Sequence, residues 1–451
     1  MAETLIAAER IVPATSRTRD WAGHDEARHG GMQRAGDLPD IISPGYVLIR
    51  DGKIATVGEG RLSRTPDVDI SSGVLVPGFV DLQVNGYFGV ELDAVRPSEW
   101  QMVATRLTAT GTTAFMPTFI TAPVSRLAEA LRKARGLVPA AVPGTADAGT
   151  PGAGAAEDAR GTAPGARILG VHLEGPFISP LRGGAHNPDW MTEPTPDAVA
   201  DLLDAGRGIL RLVTLAPELP GALDAIKTLT AAGVLVSVGH SDAVASQVSA
   251  AADAGARMVT HLFNAQRPLH HREPGVVGQA LADQRLTSGL IADFEHVLPP
   301  VCQVAFAAAP GRVFLVTDAA ACAGMPPGRY MLGGRAIELP DRDGAPPTRL
   351  DGTLAGSALR MDVAVANMVR TGTGLAEAVA AATRIPADLI GRPELGRIGP
   401  GVQADLTWLG DDLRAQATWV AGDLAHTADP ACTGEAVRSG DPAGPHQETQ
   451  P

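Results

Sequence analysis

Three short apolar runs in this chain end on residues that ligate metals, and a fourth ends on a carboxylate. They are ILGVHLEGP with Glu174, VLVSVGHSDA with His240, MVTHLFNA with His261 and VFLVTDAA with Asp318. Two imidazoles and one carboxylate suit a single zinc ion or a similar divalent metal, and the remaining aspartate can handle protons. Each residue alone has a plainer reading. Glu174 could be a loop carboxylate before Gly175-Pro176, either histidine a satisfied core residue, and Asp318 the cap of a following helix. Four of them at the same place in a repeating pattern point to a metal-dependent hydrolase.

The elements that must position them follow a strand-then-helix rhythm. Strands are expected at 74–84, 113–120, 167–173, 209–216, 234–240, 256–263, 288–294 and 312–318. Ala-rich segments of helical periodicity, such as 221–232 and 243–255, lie between them. Near-continuous apolar runs are what parallel strands buried on both faces require. Eight such βα units read as a TIM-type (β/α)8 barrel, whose active site sits at the C-terminal ends of the strands. An open doubly wound sheet is the rival, but no Gly-rich phosphate loop follows an early strand.

Residues 45–60 read as two strands around an Asp-Gly turn, and ADLTWLG and ATWVAGDLAH give β segments near the other end. A small composite β-sandwich domain from both termini is therefore expected, with residues 1–73 and 391–426 flanking a catalytic barrel over 74–390. Residues 14–42 read as an irregular insert, 138–166 as a flexible one, and 427–451 as a disordered tail.

Bulk properties bound the function. The 451 residues are 45% hydrophobic and 19% charged, a soluble globular balance, and the formal charge of -13 disfavours nucleic acid and anionic membrane as partners. No apolar run approaches the ~20 residues of a membrane span, and the N-terminus lacks a signal-peptide pattern, so the cytoplasm is the expected location. Cys302, Cys322 and Cys432 are too few and scattered for a disulfide framework. Lysine occurs only at 53, 133 and 227, against 34 arginines, so none falls at a barrel strand end to bridge two metals. Gln83 and Asn85 stand where an H-x-H pair would serve a second metal, and amides are poor zinc ligands. One tightly bound ion is expected, and the Gln83–Asn85 region is where a second would sit.

The chain also resembles a known family. PGFVDLQVNGYFG (77–89), GTTAFMPTFIT (111–121), GVHLEGPFIS (170–179), THLFNAQRPLHHREPGVVG (260–278), ADFEHV (292–297) and LVTDA (315–319) are similar to the N-acetylglucosamine-6-phosphate deacetylases of the amidohydrolase superfamily. The resemblance spans about residues 45–410. It implies Glu174, His240 and His261 as metal ligands, Asp318 as general base and then acid, and His186 as the group that polarises the acetamide carbonyl. It further implies Asn264 and Ala265 as grips on the sugar phosphate, and Arg272 and His296 as phosphate contacts. A homodimer is implied too, with Arg272 reaching the neighbouring active site.

The chain departs from the family pattern at several places. Phe294-Glu295 replace the Gly-containing part of a D-G-x-H-V run, Gln266 replaces a methionine, Leu181-Arg182 replace a lysine pair, and Ala319–Cys322 is a variant loop. An acid at 295 beside His296 works against phosphate binding, which predicts either an altered acyl-amino-sugar preference or a compensating loop shift. The expected activity is hydrolysis of the acetamide of N-acetylglucosamine 6-phosphate. The alternatives are a deacetylase of a related N-acyl amino sugar and a catalytically quiet sensor of an amino-sugar phosphate.

Overall fold

Eight parallel strands form the centre of the molecule, and their burial explains the unbroken apolar runs. In chain order they are β1 (Phe79–Val84), β2 (Thr112–Ile120), β3 (Val171–Glu174), β4 (Leu210–Leu215), β5 (Leu235–Val238), β6 (Met258–Val259), β7 (Thr287–Leu290) and β8 (Val313–Leu315). All nine residues of β2 are buried, as are all six of β1. Neighbours pair in sequence order from β1 to β8. The ring closes just beyond β8, where the Asp318 amide donates to the Gln83 carbonyl at 3.0 Å and the Asn85 amide to the Ala319 carbonyl at 2.8 Å. This is the (β/α)8 barrel. The computed structural model describes residues 3–15, 38–138, 164–342 and 344–428. Most of the expected insert at 14–42, nearly all of the one at 138–166 and almost the whole tail lie outside the described residues.

Helices cover the strands through ordinary amphipathic logic. Val124–Ala134 buries Leu127, Ala128, Leu131 and Ala134, one stripe at i, i+1, i+4 and i+7. Pro196–Ala205 begins with proline in its first turn, and its preceding Thr195 side chain accepts from the Ala198 amide at 3.3 Å.

The apolar run 74–84, expected as one strand, is two. Val74–Pro77 pairs with Leu406–Leu409 in a second sheet, and only Phe79–Val84 joins the barrel. The chain crosses between them at Gly78, where an added Cβ would lie 2.1 Å from Thr113 Oγ1. Similarly, 167–173 is interrupted at Gly170 (φ +141), leaving Arg167–Ile168 and then β3.

Two four-stranded sheets make the small domain. One holds Glu3–Ala8, Gly45–Arg50, Lys53–Glu59 and Val68–Ile70, and the other Val74–Pro77, Leu406–Leu409, Ala415–Val420 and Asp423–Thr427. Ile6, Val47, Ile49, Leu75, Leu406 and Trp419 pack between them, so both ends of the chain build one sandwich. Its tie to the barrel includes a bidentate pair, in which Arg167 donates to both oxygens of the buried Asp405 at 3.1 Å.

After β8 the sequence reading missed a further element. Gly328–Leu332, Arg335–Leu339 and Thr348–Arg349 form a three-stranded antiparallel flap. Its turn packs Gly333 near Ile120 and Gly334 near Trp190, and the Arg335 guanidinium donates to the His186 carbonyl at 3.3 Å.

Candidate active site

The barrel brings the four carboxylate and imidazole groups to one end, although the strands stop at different distances from them. Glu174 is the last residue of β3, whereas His240 and His261 lie two residues past β5 and β6, and Asp318 three past β8. His240, His261 and Asp318 all take positive φ (48°, 24° and 52°). Each such backbone costs on the order of 1–3 kcal/mol, a strain characteristic of functional sites. Before His240 the turn needs Gly239, since a Cβ there would lie 2.7 Å from Thr214 and 2.8 Å from Thr260 inside the barrel.

One oxygen is the hub. Glu174 Oε1 lies 3.1 Å from His240 Nε2 and 2.9 Å from His261 Nε2, and the two Nε2 atoms are 3.1 Å apart. His240 Nδ1 faces the Arg182 carbonyl oxygen at 2.9 Å and must carry the proton there. In a neutral ring that leaves Nε2 as a bare lone pair pointed at a carboxylate. Protonating His261 would relieve the contact only in part, because its Nδ1 is buried without a partner. Two ring nitrogens and a carboxylate oxygen in mutual contact form a donor set that fits a divalent cation. Burial acts to raise the Glu174 carboxyl, but the imidazoles of His240 and His261 packed against it outweigh that and hold the group well below the usual range.

Asp318 stands beside this cluster with one oxygen fully engaged. Its Oδ1 accepts from Gln83 Nε2 at 2.9 Å and from Asn85 Nδ2 at 2.6 Å. Gln83 Nε2 also donates to Glu174 Oε1 at 3.0 Å, so one amide links both carboxylates. Burial, reinforced by the charge of Glu174, pushes Asp318 up to about 7. Gln83 and Asn85 thus turn their NH2 groups, not their oxygens, toward the carboxylates.

His186 packs its ring 4.3 Å from that of His240, with Nε2 3.8 Å from Glu174 Oε2. Burial and the neighbouring His240 push it down to about 3, so it is neutral. Its Nδ1 lies 2.7 Å from Thr121 Oγ1, which also sits 3.2 Å from the Glu174 carbonyl oxygen. When the Thr121 proton goes to the imidazole, Nε2–H becomes a donor. Nothing in the spacing of Thr121 marked it in the sequence.

A cavity of about 230 Å³ opens over these groups, lined also by Asn85, Asn264, Ala265, His296 and, from the flap side, Leu332 and Leu354. At its far side Asp293 Oδ2 meets His296 Nδ1 at 2.6 Å, while Asp293 Oδ1 accepts from the amides of 295 and 296. Burial raises Asp293, but its bond to His296 prevails and holds it below its ordinary value. Asp293 is a second residue the sequence reading missed. Gln266, one of the departures, braces the loop: its Oε1 accepts from the Phe263 amide and its Nε2 donates to the Thr260 carbonyl, at 3.1 and 2.7 Å.

Three other residues singled out in the sequence, Glu295, Phe294 and Arg272, do not line the cavity. Glu295 is turned away from the cavity and accepts from Arg342 of the flap at 2.7 Å. Phe294 takes φ +69°, a left-handed conformation that glycine adopts most readily, and the cavity lining does not include it. Arg272 is not brought to the cavity either. It lies exposed on the 267–274 loop with its guanidinium against His271 Nε2 at 2.9 Å.

Comparison with known proteins bears directly on this geometry. The amidohydrolase family model matches residues 74–429. The chain belongs to the amidohydrolase family. Within the amidohydrolases it groups with the N-acetylglucosamine-6-phosphate deacetylases. The N-acetylglucosamine-6-phosphate deacetylase of Bacillus subtilis is 36% identical over 335 residues, 73% of this chain and 79% of the relative. An N-acetylgalactosamine-6-phosphate deacetylase of Escherichia coli O157:H7 is 36% identical over 363 residues, 80% of this chain and 89% of that one. Among solved structures, a mutant N-acetyl-D-glucosamine-6-phosphate deacetylase from Mycobacterium smegmatis, in complex with N-acetyl-D-glucosamine-6-phosphate, superposes with a TM-score of 0.81. It has 31% identity, with 95% of this chain and 100% of that one covered.

Proposed function

We propose that this amidohydrolase hydrolyses the acetamide of N-acetyl-D-glucosamine 6-phosphate, releasing D-glucosamine 6-phosphate and acetate. The observation that carries the reading is the meeting of Glu174, His240 and His261 around one oxygen, with Asp318 fixed beside them at the mouth of a small cavity. Glu174, His240 and His261 would hold one divalent ion, and two nitrogens with one carboxylate favour zinc. Bound there, such an ion supplies Lewis acidity, which makes water acidic near neutral pH and polarises the amide carbonyl.

The chain's own groups do the rest. With Oδ1 tied to two amides, Asp318 presents Oδ2 to the cavity, takes the proton of the attacking water and returns it to the leaving nitrogen. His186, given its Thr121 proton, donates from Nε2 to the carbonyl oxygen as negative charge develops, a contribution worth roughly 2.7–4 kcal/mol where a single donor has been removed. Asn264 and the Ala265 backbone face the sugar, and His296, oriented by Asp293, faces the phosphate. Arg272 completes the phosphate contacts from a neighbouring subunit of a homodimer. Its exposure supports this, as do Leu269, Leu298 and Val304 at 52%, 61% and 57% exposed. No helix among the described residues is long and apolar enough to cross a membrane, and a cytoplasmic setting fits a phosphorylated substrate.

The E. coli relative favours a second reading, the galacto epimer, at equal identity. Acetate release from both epimers by the zinc-loaded protein separates the two, and a higher kcat/KM for the galacto sugar would overturn the first. Asp318→Asn should retain the metal and lose most turnover. Near-parent rates would remove Asp318 from the chemistry.

A further inference from the structure

The opposite end of the barrel carries an arginine cluster that the chemistry above does not use. A groove of about 1040 Å³ opens at the N-terminal ends of the strands, with an apolar wall that includes Leu169, Leu203 and Ile390. Arg207, Arg211, Arg257 and Arg392 line it, against a single acidic side chain, Asp204. Two of these guanidiniums are already occupied. Arg207 pairs with Asp204 at 2.8 Å, and Arg257 donates to the carbonyls of Ala252 and Ala256 at a helix end, at 2.8 and 2.7 Å. Arg392 uses its Nε on Glu394, which leaves its terminal nitrogens.

Arg211, on β4, is different. It makes no hydrogen bond or ion pair with any described residue, although it is partly buried. Burial and the nearby charge of Arg392 both act against its ionised form. Arg211 and Arg392 line the same groove, and while Glu394 answers Arg392, no carboxylate among the described residues answers Arg211, an unfavourable arrangement in the free protein. It becomes favourable when an anion with several acceptor oxygens bridges the pair. In a chain of formal charge -13 this local excess of positive charge is a distinct feature of the surface.

We propose that this groove is a second anion site, in which Arg211 and Arg392 together take the phosphate group of a small phosphorylated molecule. The apolar wall receives the rest of that molecule. Ligation here stabilises the barrel floor, remote from the catalytic mouth.

The test is equilibrium dialysis of the full-length, metal-loaded protein against radiolabelled inorganic phosphate, with Arg211→Leu and Arg392→Gln variants in parallel. The parent should bind one phosphate more per chain than Arg211→Leu, or hold that phosphate at least about tenfold more tightly. Arg392→Gln should show the same direction of change, and kcat/KM should stay at the parent value in both. Should Arg211→Leu misfold, Arg392→Gln alone decides the outcome. Equal phosphate stoichiometry and affinity in the parent and the folded variants would overturn the proposal.

Discussion

At the scale of single residues, catalysis here depends on where a few protons sit. Thr121 has one hydroxyl proton and two acceptors, His186 Nδ1 at 2.7 Å and the Glu174 carbonyl at 3.2 Å. Thr121→Val removes that proton and frees the His186 tautomer. Turnover should fall about 10–100-fold, the usual effect of losing such a partner, with metal content unchanged. A parent-like kcat in steady-state assays would show that Thr121 does not set the tautomer. Asp81 offers a test against pH. Burial pushes it up to about 7, against hydrogen bonds from Thr317 and the Gln83 amide. Its folded pKa lies above the unfolded value, so folding favours the protonated form. Its favourable contribution is complete below about 4 and is lost as pH rises toward 7. Asp81→Asn should therefore raise the melting temperature at pH 8 and change it little at pH 4. An equal shift at both pH values would contradict a buried, high-pKa Asp81.

At the scale of elements, the sequence disclosed the strands and the ligand at the end of β3, because burial on both faces leaves an unbroken apolar run that stops at Glu174. It could not disclose that β5, β6 and β8 end early and deliver His240, His261 and Asp318 on left-handed turns. Positive φ at a non-glycine residue leaves no mark in composition. The flap escaped for a related reason, since its short strands alternate exposed positions with half-buried or buried ones and hold no long apolar stretch. Glu295 shows the consequence. Read in sequence it is an acid beside His296, yet in the fold it is paired with Arg342 of that flap. The pair is exposed, so breaking it should cost only about 0–1 kcal/mol. Glu295→Leu should accordingly move KM for the phosphorylated sugar by less than about fivefold. A large drop in KM would mean that the carboxylate does repel the phosphate.

At the scale of the whole molecule, the two chain ends fold into one sandwich because Val74–Pro77 and Leu406–Leu409 pair across more than three hundred residues. Such long-range pairing was legible only as β signal at both ends, and the switch at Gly78 was hidden inside a run that looked like a single strand. The barrel anchored to that sandwich holds Glu174, His240, His261 and Asp318 in register around a cavity that ends at His296. This site hydrolyses an acetamide on a phosphorylated amino sugar. The most direct measurement is acetate release by the metal-replete protein from N-acetylglucosamine 6-phosphate, beside the same sugar without its phosphate. The geometry predicts release that disappears on chelation and a strong preference for the phosphorylated sugar. Absence of acetate release from either sugar, or equal rates with and without the phosphate, would contradict it.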